Sequence, residues 1–479
     1  MPSRNRNRHA LILAILAIAF LLVTIEPVRG QHYDIVDFND FSSTPDSHEV
    51  VDLDIYDTVI NPRYDIQVHG SVRVADASTV RVASPRWGPI DGVNADLIDK
   101  KILSSLRAAI KAGKVPADKK EAVAALKPRA DGILARHHRY SVTFSTVEAP
   151  NNSSHYYYSR LSYAWPICPK GEMITNPQLQ CPWKIWDGHF YPGDSNITCL
   201  LQLTRFSRDI QTLSVAYYLF GEEAYAAQFV HLVKTWFLDK LTYMAPDLSY
   251  AQVIPHGYEW TWRGSRTGLI DTHTLITFLS AIDLIKTSPS WDTKTRKGLQ
   301  NWFKDYIKWF ETSTMGIAES KGLNNQGTYY KGQLAAFSLF VGRKDVAKQQ
   351  VIDYIEQDFT LQFNRSGAQP MELRRVFSSL YSYFNLQGVM YLAKVGQLFG
   401  IDLWHMKNRN GVTLQDAVDF LIPLSLSPRA TENPANLLPL LEDARNHYPA
   451  EAAKYSHYIS KIRKLTSGGD LLSEWILWK

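Results

Sequence analysis

Cysteine is scarce in this chain: its 479 residues include only Cys168, Cys181 and Cys199. Their spacing matches no zinc-binding module, and an oxidising compartment would favour one disulfide and one leftover thiol. We predict that Cys168 pairs with Cys181. With so few cross-links the fold must depend on its core, and 45% hydrophobic residues are enough to build one.

Several common catalytic signatures are also missing from the sequence. There is no HExxH or Cys2His2 pattern and no carboxylate triad, so nothing indicates a metal. There is no GxSxG, Walker or GxGxxG motif, which leaves serine hydrolase and nucleotide chemistry without support. We therefore expect neither a metal nor a cofactor.

A strong charge of one sign is lacking as well. The formal net charge is +5, and removal of residues 1–30 would take away four arginines and one glutamate, leaving about +2. This is too small to indicate binding to nucleic acid or to a membrane surface. Any recognition of a polyanion must come from a local cleft.

The N-terminus has the features of a signal peptide. Arg4, Arg6 and Arg8 precede an apolar run at 10–25, and small residues near Gly30 allow cleavage before residue 31. An uncleaved signal anchor is the alternative. We expect residues 1–30 to be removed and the protein to be secreted to the extracellular space, without a membrane anchor. Four glycosylation sequons agree with export, and they begin at Asn151, Asn152, Asn196 and Asn364.

The rest of the chain divides by composition and periodicity. Residues 31–60 carry eight acidic side chains and no lysine or arginine, so we interpret 31–90 as an N-terminal extension with some β character. Residues 91–136 are predicted to be helical, punctuated by Pro116 and Pro128. Residues 427–479 are predicted to form a C-terminal helical tail that packs on the main domain.

From about residue 200 onward, helical periodicity dominates. Several predicted helices are paired across a glycine turn, as at Gly221 and Gly342, which is typical of an α/α toroid or solenoid. No fixed repeat length emerges. Long loops at 141–200, 241–268 and 359–374 are expected to be functional. The predicted helices span 203–220, 222–238, 270–286, 293–312, 330–341, 344–357, 376–399, 414–425 and 450–465.

The first of these loops is unusually aromatic. Residues 156–166 contain five tyrosine or tryptophan rings, and Trp183, Trp186 and Tyr191 follow closely. Sugar rings pack their C–H faces on aromatic rings, and Arg160 or Lys184 could meet a sugar carboxylate. The alternative is that these rings cap the ends of the helical core.

Five segments in a fixed order carry a resemblance to a known family. Together they resemble the alginate-lyase superfamily of polysaccharide lyases over about residues 126 to 426. The resemblance implies a mostly α fold, an α/α toroid, over 91–426. The segments are the Tyr-and-Trp-Pro loop at 156–166, Trp-Phe-Leu and Asp-Leu-x-Tyr-Ala-Gln-x-Ile-Pro within 236–255, Gly-Leu-Ile-Asp-Thr at 268–272, Asn-Asn at 324–330, and Gln-Pro-x-Glu-Leu-x-Arg at 369–375.

The resemblance implies cleavage of an acidic polysaccharide by β-elimination, in a protein that we expect to be a monomer. It places Asn325 and Arg375 on the substrate carboxylate and gives Tyr381 the role of base, and of acid as well when both groups lie on one face of the sugar. Six residues separate Arg375 from Tyr381, so we expect Arg375 to precede the helix, with Arg374 as the alternate. The predicted substrate-binding residues are Tyr158, Arg160, Tyr163, Trp165, Tyr250, Gln252, His256, Tyr329 and Arg374.

Two positions depart from the family pattern. Gln326 stands where the family has histidine, and glutamine can donate hydrogen bonds but cannot abstract a proton. An active enzyme should then rely on Tyr381 and prefer syn-elimination of β-linked mannuronate or glucuronate. Lys331 stands where the family tends to have aspartate, which would favour anion attraction. The nearby His256 and His273 are candidate substitutes for the missing imidazole.

Two other functions remain open from the sequence. A chain that needs the missing histidine would be an acidic-polysaccharide-binding protein on a lyase fold. A glycoside hydrolase is the third possibility, because α/α toroids also host paired carboxylates. Asp271 and Glu372 would be its acids. For Glu372 we favour a different role, an ion pair with Arg374 or Arg375.

Overall fold

A computed structural model describes the chain from residue 97 to its last residue, with short gaps. The described ranges are 97–169, 173–176, 180–194, 196–255, 262–427, 430, 432–468 and 473–479. The predicted signal peptide at 1–30, the extension at 31–90 and His256 lie outside them.

Helices account for most of the described chain, and short 3-10 turns join several of them. The bounds are α1 Lys100–Lys111, α2 Lys120–Arg136, α3 Cys199–Phe220, α4 Glu223–Phe237, α5 Leu275–Ile285, α6 Thr293–Thr312, α7 Thr314–Glu319, α8 Asn325–Val341, α9 Lys344–Asp353, α10 Phe359–Gln362, α11 Pro370–Leu373, α12 Ser378–Gln397, α13 Leu414–Ser425, α14 Leu438–His447 and α15 Ala452–Leu465. A π-helical turn, Tyr354–Asp358, joins α9 to α10.

Successive helices form hairpins around one core, as expected of an α/α toroid. Gly221 ends α3 and Gly342 ends α8, each with a positive φ that favours glycine. Helix α8 packs against α5, α6, α9 and α12, so its side chains are buried on most sides. The stretch Arg266–Ile285 is long and apolar enough to cross a membrane, but it is mostly buried and forms part of this core.

Within the described ranges, four short strands lie in or beside the long loops. Strand β1, Tyr158–Arg160, pairs in parallel with β4, Tyr250–Val253. Strand β2, Ala164–Pro166, pairs antiparallel with β3, Trp183–Ile185. The predicted disulfide between Cys168 and Cys181 is confirmed and closes the β2–β3 hairpin, and Cys199 is a free, buried thiol.

The helix predictions are close to the structure but differ at several ends: α3 begins four residues before the predicted 203, and α5 begins five residues after the predicted 270. The ranges 293–312 and 414–425 are confirmed at both ends. Helix α8 begins five residues earlier than predicted, because Asn324 caps a first turn that lacks apolar periodicity. Pro128 lies inside α2 and does not end it. The burial of Leu126, Ala130 and other residues on one face of α2 outweighs the lost backbone hydrogen bond.

The described part of the C-terminal region is also helical and closes the core. Helices α14 and α15 pack together, and a final 3-10 turn at Glu474–Trp478 packs on α1 and α2. The indole rings of Trp475 and Trp478 are buried there. Lys119 Nζ donates a 2.6 Å hydrogen bond to the carbonyl oxygen of Ile476, which anchors this turn.

Candidate active site

Asn325 and Glu372 join two of the segments that the sequence singled out. The backbone N–H and Nδ2 of Asn325 donate to the two carboxylate oxygens of Glu372, each at 2.7 Å. Both residues are buried. Burial raises the pKa of Glu372 to about 7, against the hydrogen bonds from Asn325, which lower it. The favoured ion pair of Glu372 with Arg374 or Arg375 is therefore corrected: the carboxylate holds Asn325 in place.

Gln326 follows Asn325 in the first turn of α8. Its backbone N–H donates to the Asn324 side chain at 3.3 Å. Within the described part of the chain, the Oε1 atom of Gln326 is shielded from solvent and has no hydrogen-bond partner. A buried polar atom without a partner costs free energy unless a ligand or water satisfies it. This oxygen is therefore available to accept a hydrogen bond that no described residue donates.

Tyr381 is enclosed by Tyr163 and Arg375. The hydroxyl oxygens of the two tyrosines lie 2.7 Å apart, and the Arg375 guanidinium carbon lies 3.6 Å from the centre of the Tyr381 ring. Arg375 sits between α11 and α12, so the expectation that it precedes the helix is confirmed. Burial raises the pKa of Tyr381, while the charge of Arg375 and the hydrogen bond from Tyr163 lower it; the net shift is upward.

Asp187 completes this cluster, and the sequence did not single it out. Its carboxylate accepts from Arg375 Nε at 3.0 Å and Nη2 at 2.6 Å, and from the backbone N–H of Val376 at 3.1 Å. Burial raises the pKa of Asp187, but the hydrogen bonds and charge of Arg375 outweigh it and hold the pKa below its usual value. The sequence offered only an indirect signal for Asp187: a buried arginine needs a carboxylate partner somewhere in the chain.

The predicted residues of the aromatic loop contact one another. Tyr158 is buried, and its hydroxyl accepts from Arg160 Nε at 3.0 Å. Arg160 Nη1 also pairs with Asp194 at 2.7 Å, so protein groups already hold this guanidinium. Trp165 packs edge-on against Trp186, at 6.1 Å between ring centres. Trp186 is 42% exposed, which leaves an aromatic surface beside Asp187.

Gln252 belongs to a buried polar network. Its φ of 49° is unusual for a residue with a side chain, and its Nε2 donates to Asp271 at 2.7 Å. Asp271 also accepts from Ser159 at 2.6 Å and from Tyr157 at 3.1 Å, and burial raises its pKa. Asp271 and Glu372 are thus both buried and both accept hydrogen bonds from other protein groups. This does not suit either of them to act as the acid of a glycoside hydrolase. Tyr250 packs edge-on against Tyr156.

Tyr329 and His273 pack against each other and against Phe384 of α12. Tyr329 has no exposed surface with which to contact a sugar, and its hydroxyl donates to the Phe384 carbonyl at 3.0 Å. His273 packs edge-on against Tyr329 and Phe384. Burial lowers its pKa to about 4, which keeps the imidazole neutral at pH 7. Arg374, by contrast, is exposed to solvent.

Lys331 does not attract anions as its sequence position suggested. Its ammonium lies 2.7 Å from the Asp358 carboxylate, and both side chains are almost fully buried. The charge introduced by Lys331 is thus neutralised inside the protein by the π-helical turn that carries Asp358. Within the described ranges, no group of three His, Cys, Asp or Glu side chains could hold a metal ion.

Comparison with known proteins bears on the family and the fold of the chain. The alginate lyase family model matches residues 141–431, which include all the segments of the cluster. A Bacteroides ovatus alginate lyase structure is 25% identical, covers 80% of this chain and 98% of its own, and superposes with a TM-score of 0.71. This similarity confirms the predicted α/α toroid.

A more distant structure was also found. Alginate lyase A1-III from Sphingomonas species A1 is 16% identical, covers 75% of this chain and 90% of its own, and gives a TM-score of 0.45. No curated protein sequence matches the chain.

Proposed function

The chain belongs to the alginate lyase family and is a polysaccharide lyase, and from this premise we propose that it cleaves a polyuronate of the alginate or glucuronan type by β-elimination. One observation supports the proposal most directly. The hydroxyl of Tyr381 contacts that of Tyr163, and the guanidinium of Arg375 lies over the Tyr381 ring. This set of groups suits proton transfer next to a carboxylate.

The chemistry sets two requirements on the site. The C5 proton of a uronate becomes acidic only when hydrogen-bond donors or cations neutralise the adjacent carboxylate. A base must then remove that proton, and an acid must protonate the leaving glycosidic oxygen at C4. We assign the neutralisation of the substrate carboxylate to Asn325, Gln326 and Arg375. We assign the proton transfers to Tyr381.

The pKa of Tyr381 bears on this assignment. Because burial raises that pKa, the phenol is the dominant form at neutral pH and the phenolate is the minor form. The phenol is suited to protonate the leaving oxygen, and the phenolate to remove the C5 proton. We therefore expect the rate to rise as the pH becomes alkaline.

Gln326 favours one stereochemistry. An amide cannot serve as a second base on the opposite face of the sugar. One group must therefore remove the C5 proton and protonate the leaving oxygen at C4 from the same face. This is syn-elimination, and the substrates that fit it are β-linked mannuronate or glucuronate. We expect little action on guluronate.

We further propose that the protein acts outside the cell. The apolar run behind the N-terminal arginines supports export, and the Cys168–Cys181 disulfide requires an oxidising compartment. Asn151, Asn152 and Asn196 are exposed sequon residues, and surface exposure is needed for glycosylation.

The test is incubation with polymannuronate, polyguluronate and glucuronan while near-ultraviolet absorbance is followed. A lyase leaves a C4=C5 double bond conjugated with the carboxylate, which absorbs. Reducing ends without absorbance would indicate a hydrolase, and binding without either product would indicate a catalytically impaired protein. Tyr381→Phe should abolish the absorbance increase. Unchanged activity in that variant would overturn the role of Tyr381.

A further inference from the structure

Asp187 links the disulfide-closed hairpin to the residues around Tyr381. It lies two residues after β3, in a turn at Trp186–His189 that the amide of His189 closes by donating to the Trp186 carbonyl at 3.0 Å. From this turn the carboxylate reaches a guanidinium 188 residues further along the chain. The contact thus joins two segments that no local structure would bring together.

The geometry of the contact fixes the orientation of Arg375. Two parallel hydrogen bonds, from Nε and Nη2, hold the guanidinium plane more tightly than one bond would. The same carboxylate accepts from the Val376 amide, so the backbone of the α11–α12 linker is held as well. Both side chains are largely buried, at 12% and 16% exposed, which limits competition from water.

This arrangement changes which part of Arg375 can meet a substrate. Asp187 occupies the edge formed by Nε and Nη2, while the guanidinium plane lies over the Tyr381 ring. The guanidinium is thus in contact with both Asp187 and Tyr381, and the edge that faces Asp187 is not available to a sugar carboxylate.

We propose that Asp187 is a positioning residue for the elimination, holding Arg375 over Tyr381 and moderating the positive charge that Tyr381 experiences. The inference rests on the proposed function, because it assumes that Tyr381 transfers the proton. Asp187 itself contacts no reacting atom in this account and acts through Arg375.

Four charged or titratable groups act on the pKa of Tyr381, two lowering it and two raising it. The charge of Arg375 and the hydrogen bond from Tyr163 lower the pKa of Tyr381. The negative charges of Asp187 and Glu372 raise it. Removal of the Asp187 charge alone should therefore lower the pKa of Tyr381. It should also make the site more attractive to an anionic substrate.

Asp187→Asn is the direct test, measured as kcat and KM on the best polyuronate across a pH series. We expect kcat to fall by about 10- to 100-fold, because the guanidinium is less well held. We expect KM to stay the same or fall, and the acidic limb of the pH–rate profile to move to lower pH. Glu311→Gln is the control, since Glu311 holds Arg343 in a similar bidentate pair on other elements.

Asp187→Glu covers the case in which the asparagine variant does not fold. It keeps the charge but displaces it by one methylene, so kcat per folded molecule should fall about 10-fold with the acidic limb unmoved. The proposal is overturned if Asp187→Asn folds with an unshifted profile. It is also overturned if Asp187→Glu has the wild-type kcat.

Failure of this inference is distinguishable from failure of the proposed function. If the wild-type protein gives no absorbance increase on any polyuronate, the proposed function is wrong. If the wild type is active and loses activity with Tyr381→Phe, but both Asp187 variants behave as wild type, only the role of Asp187 is wrong.

Discussion

The hydroxyl oxygens of Tyr163 and Tyr381 lie 2.7 Å apart, and this contact connects the residue before β2 with the first turn of α12. Burial raises the pKa of Tyr163 far above its usual value, and the neighbouring Tyr381 adds to the shift. Tyr163 therefore keeps its proton when Tyr381 ionises, and its hydroxyl can then donate a hydrogen bond to the Tyr381 oxygen. When Tyr381 ionises, this hydrogen bond stabilises the phenolate.

Tyr163→Phe removes that stabilisation and should raise the pKa of Tyr381. We expect kcat/KM at neutral pH to fall about 10-fold or more, since a hydrogen bond to a charged group is worth ~1.5–3 kcal/mol. The acidic limb of the pH–rate profile should move to higher pH, opposite to the shift expected for Asp187→Asn. Tyr458→Phe, a tyrosine on α15, is the control. An unmoved profile would show that Tyr163 does not assist Tyr381.

The sequence predicted the helices of this protein better than its site. Ranges such as 293–312 were found because buried side chains recur at helical spacing and can be counted along the chain. The first turn of α8 was missed because the residues after its cap are polar and its first amide donates to Glu372, 47 residues away. Local periodicity carries no information about such a partner.

The site shows the same limit more sharply. Tyr381, Arg375 and Asn325 could be named because they lie in recognisable segments, but Asp187 could not, since only the folded chain brings it to Arg375. Lys331 was misread for a related reason. A lysine in an otherwise uncharged segment suggests surface charge, and its buried partner Asp358 lies on another element.

Glu372→Gln and Glu319→Gln form a matched pair that separates stability from catalysis. Burial raises the pKa of each carboxyl from 4.5 to about 7. Because the folded state holds the proton more tightly than the unfolded state, each carboxyl stabilises the fold fully below pH 4.5. This stabilisation is lost as the pH rises to about 7, which lowers the free energy of unfolding by up to roughly 3 kcal/mol. Glutamine does not titrate, so either variant should show a smaller fall in Tm between pH 5 and pH 8.

Only the Glu372 variant should affect catalysis. Glutamine presents one acceptor where Asn325 needs two, so Asn325 should lose its fixed orientation and kcat should fall about 10-fold. Glu319 instead pairs with Arg266 at 2.8 Å, and Glu319→Gln should keep the wild-type kcat. Equal losses of kcat in both variants would mean that the carboxyls act through stability alone.

Gln326→His tests the stereochemical argument. An imidazole at this position can accept a proton, which the amide cannot, and the unpartnered Oε1 atom that it replaces makes no hydrogen bond to the described part of the protein. We expect a gain of activity on polyguluronate with little change on polymannuronate, measured by absorbance. Gln326→Asn, which keeps an amide, should show no gain. If the histidine variant gains nothing on polyguluronate, Gln326 does not limit the substrate range.

Lys331→Met tests whether the lysine serves the core or the substrate. The substitution leaves Asp358 buried without its cation, which should lower the free energy of unfolding by about 3–5 kcal/mol in urea titrations. Because Lys331 is buried, KM for a polyuronate should not change. Lys321→Met, at an exposed residue of the preceding loop, should leave stability within about 0.5 kcal/mol.

The double variant Lys331→Met with Asp358→Leu shows whether the single variant is unstable because Asp358 keeps an unpaired buried charge or because side-chain packing is lost. If an uncompensated charge causes the instability, removing the second charge should recover most of the lost stability, because a buried ion pair can be replaced by apolar side chains at little net cost. A rise in KM in the single variant, at unchanged stability, would instead restore the idea that Lys331 attracts the anionic polymer. The burial of both side chains argues for the first outcome, since a charge that is neutralised inside the core has little field left at the protein surface.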